Sequence, residues 1–159
     1  MKFIRIAPLL FLLMKPTHAF SQKYEIAGPP VSGYFYFDSA EMERRRLYNS
    51  VRCIDIVSSG STVLASGKGR VMFCNIHADK TYEVAVRYAN TIVVYTKIAK
   101  KNILKSQLIG PNYPIGELNL DVRDKKYHLG LQVWDVGTPN TLVWDKKLVR
   151  YLNGTLVNN

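Results

Sequence analysis

Cysteine and histidine are scarce in this chain of 159 residues, which holds two of the first and three of the second. Two cysteines cannot close a structural zinc site without histidines beside them, and only His77 stands near Cys53 and Cys74, so no metal is expected. Only His77 and His128 lie beyond residue 19, and no G-x-S-x-G occurs, which leaves little room for a Ser-His-Asp triad. The phosphate-loop spacing G-x-x-x-x-G-K-[ST] is also missing, so Ser66-Gly67-Lys68-Gly69-Arg70 reads as a glycine hairpin. Carboxylates number 12 against 22 Lys and Arg. The pairs that acid–base glycoside cleavage needs reduce to Glu117 with Asp121 or Asp135 with Asp145, which solvent-facing positions explain equally well. No catalytic residue and no cofactor is therefore assigned. No apolar run long enough to span a bilayer appears, so no membrane span is expected.

What is present begins at the N-terminus. Lys2 and Arg5 precede an apolar run from Ile6 to Met14, and Thr17-His18-Ala19 follows with small residues at its ends. This is the pattern of a signal peptide over residues 1–19, cleaved before Phe20, and it predicts a secreted protein. Beyond it, 19 Lys and Arg against 12 acidic residues leave a charge of +7, which favours an anionic partner such as nucleic acid, acidic polysaccharide or a membrane surface. In an oxidising compartment Cys53 and Cys74 would pair, closing a loop whose constraint stabilises by about 3 kcal/mol. Two independent buried thiols are the rival reading. Asn153-Gly154-Thr155 is a glycosylation sequon, usable only in eukaryotic secretion.

Residues 20–33, with Gly28-Pro29-Pro30 and Ser32-Gly33, read as an irregular arm, and 34–159 as a single domain. Tyr34 to Phe37 is aromatic and strand-prone. Asp38 with Glu41 suggests a capped helix through about Arg52, whose buried face would carry Leu47, Val51 and Ile54. Period-two patterning then predicts strands at Val63–Ala65, Arg70–Ile76, Tyr82–Tyr88 and Thr91–Ile98. Further strands are expected at Leu118–Val122, Lys126–Trp134, Thr141–Trp144 and Val149–Leu152. One helix laid on an antiparallel sheet is an α+β domain.

Aromatics interleave with cations at Tyr82, Arg87, Tyr88, Tyr95 and Lys97, an arrangement that serves base stacking or the core and rim of a sheet. Arg44, Arg45 and Arg46, then Lys100 and Lys101, are the candidate contacts to RNA phosphates.

The element order, with an aromatic strand, one helix, a Tyr113-Pro114-Ile115 step and a late strand pair, resembles the ribonuclease-like secreted effectors of powdery mildew fungi. The resemblance covers residues 34 to 152. It implies a ribonuclease-like fold, action inside a host plant cell, and a host protein (an immune receptor among them) or host RNA as partner. On that alignment Asn112 stands where the ribonucleases keep their base, and His128 falls near the position of their phosphate-binding arginine. Asp145 falls near the position of their final histidine, so the resemblance implies binding without catalysis. The chain departs from the effectors in its cysteine placement and in the length before Tyr113. An active secreted hydrolase and an extracellular β-sandwich binding module are the two alternatives.

Overall fold

The computed structural model describes residues 25–26, 28–38, 53–136, 149–152 and 155–158. Every regular element among them is a strand: β1 (Glu25–Ile26), β2 (Phe35–Phe37), β3 (Ile54–Ser58), β4 (Thr62–Leu64), β5 (Gly69–Ile76) and β6 (Tyr82–Tyr88). Then follow β7 (Thr91–Lys101), β8 (Leu108–Ile109), β9 (Pro114–Leu118), β10 (Tyr127–Asp135), β11 (Val149–Leu152) and β12 (Thr155–Asn158). The α+β, ribonuclease-like expectation is thus corrected to an antiparallel β fold with no helix among the described residues. Residues 39–52, where most of the helix was placed, and Thr141–Trp144 lie outside the described residues.

The larger sheet runs in the order β2-β3-β10-β7-β6-β5-β8, with β4 paired to β9 and β9 paired to β7. A separate ladder joins β1, β12 and β11. The long β7 carries the fold-over. Thr91 to Thr96 pair with β10, whereas Ile98 to Lys101 pair with β9. Val63, Ile115 and Leu118 are thereby turned onto Val84, Val86, Tyr95, Leu129 and Leu131, forming one buried core. Burying each such aliphatic side chain is worth roughly 1.5–3 kcal/mol before chain entropy is counted.

Sequence period and structure agree best in β6. Val84 and Val86 point into the core, with Tyr82 and Tyr88 packed beside them. The opposite face is drier than its alternation suggests, because Ala85, Val94 and Gln132, partners across three strands, are all buried. Ile54 belongs to β3 rather than a helix. Ile54-Asp55-Ile56-Val57-Ser58 is buried throughout, as a central strand covered on both faces must be. A short apolar run of this kind fits helical and extended spacing alike, and its β-branched content decides for the strand.

Cys53 and Cys74 are not bonded to each other, which corrects the expected disulfide. Cys53 precedes β3 and Cys74 lies on β5, with β10, β7 and β6 between them. Four strand spacings amount to roughly 19 Å, far beyond the ~7 Å that a disulfide allows between Cα atoms.

Candidate functional site

At one end of the large sheet, two hairpin turns and a bulged stretch of β7 enclose an open polar cleft of about 590 Å³. It is lined by Asp38, Asp79, Lys97, Asp121, Asp124 and His128, with Thr81, Asn119, Leu120 and Arg123. A second hollow of about 450 Å³ adjoins it, sharing Asp79, Thr81 and Lys97 and reaching Cys53, His77, Glu83 and Gln132.

The turns are shaped by their own aspartates, whose short carboxylates cap nearby backbone amides. Asp79 Oδ1 accepts from the Thr81 amide at 2.9 Å and from its hydroxyl at 2.7 Å. Asp121 Oδ1 accepts from the Arg123 amide at 2.9 Å, and Asp124 Oδ1 from the Lys126 amide at 3.1 Å. Lys80 and Lys125 take left-handed φ values of 65° and 59°, which let the two hairpins close.

Lys97 sits between these turns. Two residues of β7, Thr96 and Lys97, lie between the rungs Val84↔Tyr95 and Tyr82↔Ile98, against one residue of β6. Lys97 takes φ 66° at this bulge, a conformation costing about 1 kcal/mol or more outside glycine. The bulge aims its ammonium across β10 to Asp55 on β3, where Nζ lies 3.1 Å from Oδ1. Crossing β10 is possible because Gly130 occupies the rung between Thr96 and Asp55. A Cβ on Gly130 would collide with Thr96 Oγ1 and stand 3.3 Å from Cys53 Sγ. The other Asp55 oxygen lies 3.8 Å from Cys53 Sγ.

His128 opens β10 and brings Nε2 to 2.9 Å from Asp124 Oδ2. At the far end His77 Nε2 lies 3.4 Å from Glu83 Oε2. The Arg123 guanidinium, hydrogen-bonded to both Asp121 oxygens, holds that carboxyl far below the usual range. Partial desolvation pushes Asp124 up, but the bonds from His128 and the Lys126 amide outweigh it and leave the group low. The Thr81 hydroxyl does the same for Asp79. Asp79, Asp121 and Asp124 are therefore ionised at neutral pH.

Asp121, Asp124 and His128 each offer a ligand atom within 4.8 Å of the others. A cation there would have to displace Arg123 from Asp121 and His128 from Asp124. The donors are better described as satisfied by those partners.

Of the residues singled out from sequence, His128 lies in the cleft, together with Asp38, Lys97 and Asp121, which the sequence suggested for other roles. Asn112 is in a turn on the other side of the core, at φ 59°, with its amide bonded to the Ala65 carbonyl at 2.8 Å. Lys101 donates to the Ile103 carbonyl at 3.2 Å and lies over the Tyr82 ring, and Lys100 is exposed opposite Glu117. Neither reaches the cleft. Arg44, Arg45, Arg46, Asp145 and Asn153 lie outside the described residues. The residues that sequence reasoning missed are Asp55, Asp79, Asp124 and Gly130, and Lys97 was singled out only as part of a stacking surface. A lone carboxylate within Ile54-Asp55-Ile56-Val57 signals a buried charge in need of a partner, and a glycine inside an apolar strand signals close approach.

No protein-family model matches this chain, and no curated protein matches it. Solved structures do. Lysostaphin, a peptidase of the M23 type, superposes with a TM-score of 0.51 at 13% identity, over 79% of this chain and 49% of lysostaphin. The SpoIIQ–SpoIIIAH pore-forming complex matches with a TM-score of 0.49 at 18% identity, over 72% of this chain and 86% of that one. A zinc-containing peptidase from Vibrio cholerae matches at 0.45 and 15% identity, over 73% and 34% respectively. The shared property is the fold of lysostaphin, about half of whose length this chain spans. The expectation of a non-enzymatic pseudo-ribonuclease is corrected, since it rested on an alignment to ribonucleases and the fold is instead similar to that of lysostaphin. Among the described residues no helix is long and apolar enough to cross a membrane.

Proposed function

We propose that this chain is an exported β-sheet binding module that receives a cationic, extended stretch of polypeptide in the cleft over Lys97. One observation carries the reading: the cleft is acidic although the chain is basic. Asp38, Asp79, Asp121 and Asp124 line it against Lys97 and Arg123, in a chain of formal charge +10. Both cations are already engaged, Lys97 by Asp55 and Arg123 by Asp121. With Asp121 paired, Asp79 and Asp124 still exceed the cations left to balance them at the rim, and opposite charge in a ligand steers it there. The two adjoining hollows give the length that an extended chain needs. Export rests on the signal-peptide pattern of residues 1–19.

Fluorescence anisotropy with labelled lysine-rich and glutamate-rich peptides tests this reading. The lysine-rich peptide should bind, and Asp79→Asn with Asp124→Asn should weaken it about tenfold. Equal affinity for the glutamate-rich peptide would sink it.

The contact of His128 with Asp124 favours a second reading, hydrolysis of such a chain in the same cleft. A histidine oriented by a carboxylate is the usual form of a general base. Mass spectrometry of the incubated peptide, with His128→Ala as control, distinguishes cleavage from binding.

A further inference from the structure

The opposite end of the large sheet has the reverse character. Strand β8 forms its edge, pairing Leu108 with Arg70 on β5, and Arg70 in turn stands opposite Arg87 on β6. These three side chains therefore share one face. The turn Leu104–Gln107 folds against the same edge, with the Arg70 guanidinium 3.4 Å from the Ser106 carbonyl and the Ser106 amide bonded to Val71. Leu104 and Leu108 are 69% and 63% exposed, and Met72 on β5 is exposed as well. Lys105 and Lys68 add charge at the rim.

Two features of this edge are costly to the isolated chain. Directly opposed arginines repel, and among the described residues no carboxylate pairs with Arg70 or Arg87. Indeed, no Asp or Glu occurs from Val84 to Gly116, a stretch holding Arg87, Lys97, Lys100, Lys101 and Lys105. Large aliphatic side chains left in water beside unpaired cations form the combination that suits an interface between anionic headgroups and acyl chains.

We propose that this edge docks on an anionic lipid bilayer, with Leu104 and Leu108 entering the acyl boundary and Arg70, Arg87 and Lys105 meeting headgroup phosphates. Leu104 stands in a turn and Leu108 on the edge strand, both largely exposed, and both polar hollows described above lie at the other end of the sheet. Exposed cations beside exposed aliphatics fit a bilayer better than they fit a peptide. The short edge strand, only two residues long, also offers little backbone for pairing with another chain.

Sedimentation of the full chain with vesicles tests the assignment, using phosphatidylcholine alone and a 7:3 mixture with phosphatidylglycerol as probes. Binding should require the anionic lipid and weaken in high salt. Arg70→Gln with Arg87→Gln should lower the partition coefficient about thirtyfold, since each cation near the surface contributes about a factor of five. Leu104→Ser with Leu108→Ser should lower it about tenfold at unchanged charge. Both variants alter exposed side chains, and circular dichroism should show wild-type signal. A peptide of residues 1–19 sedimented alongside measures what that segment contributes by itself, and this is subtracted before the ratios are taken. Partition independent of lipid charge, or equal for wild type and both variants, would overturn the proposal. Retention of polyglutamate with no vesicle binding would also overturn it, and would point to an acidic protein.

Discussion

The Lys97 ammonium reaches over Gly130 to lie 3.1 Å from the carboxylate of Asp55, whose side chain is only 2% exposed. Three strands contribute to this single contact. β7 supplies the cation from a bulge, β10 supplies the gap, and β3 supplies the anion. It fixes the floor of the cleft, and it explains how a carboxylate is accommodated inside a fully buried strand.

Removing one partner leaves the other charge poorly compensated. Lys97 is itself 34% exposed, so water softens the loss. Lys97→Met should destabilise the chain by about 2 kcal/mol, less than the 3–5 kcal/mol typical of a wholly buried pair. Relief of the left-handed φ is not available to methionine. Urea unfolding of Lys97→Met, Asp55→Asn and the double variant should give a double-variant loss smaller than the sum of the singles. Strict additivity would show that the contact carries no coupling.

Gly130→Ala places a methyl against Thr96 Oγ1 and close to Cys53 Sγ. The rung between β3 and β7 must open or Thr96 must turn, which breaks its bond to the Gly130 carbonyl. Overpacking of this kind costs about 1–3 kcal/mol. A midpoint shift in urea with an unchanged slope is the expected outcome.

Inside the core, Tyr95 OH lies 3.0 Å from Tyr88 OH and 3.1 Å from Ser66 Oγ. Burial raises both phenols well above their ordinary value. A raised folded-state value means that the contribution to stability is complete below about pH 10 and is lost as pH climbs beyond it. An ultraviolet titration should leave these two tyrosines un-ionised until the protein unfolds in alkali. Tyr95→Phe strands the buried Ser66 hydroxyl and leaves the Tyr88 hydroxyl with the Ser66 amide alone, and should cost about 1–3 kcal/mol.

With four strand spacings between them, Cys53 and Cys74 should titrate as two thiols when the chain is unfolded without reductant. In the native protein Cys74 should react slowly near pH 8, because burial raises its thiol, against the opposing pull of Lys101. A missing pair of thiols in the unfolded chain would refute the strand order.

How much of this was legible beforehand varies by element. β6 was readable because Tyr82, Val84, Val86 and Tyr88 alternate with Glu83, Ala85 and Arg87, and charge at two of those three places leaves a period-two trace. β3 was not, since its five residues are all buried and its run merges with the helix-like spacing of Leu47 and Val51. β9 lies four residues before the Leu118–Val122 expectation, because the alternation of Leu118, Leu120 and Val122 runs on into the turn at Asp121. The cleft was invisible for a different reason. Asp55, Asp79, Lys97, Asp124 and Gly130 are far apart in the chain, and no local spacing relates them.

The chain by itself determined the basic charge, the signal-peptide pattern, the strand-rich centre and the hairpin at Ala78-Asp79-Lys80, because these depend on composition and on neighbours a few residues apart. Only the tertiary structure decided that the cysteines stand apart, that the acidic groups collect at one end of a basic molecule, and that leucines and arginines collect at the other. Those outcomes follow from strand order. Which strands become neighbours is settled by the burial of the whole core, and no short stretch of sequence contains it.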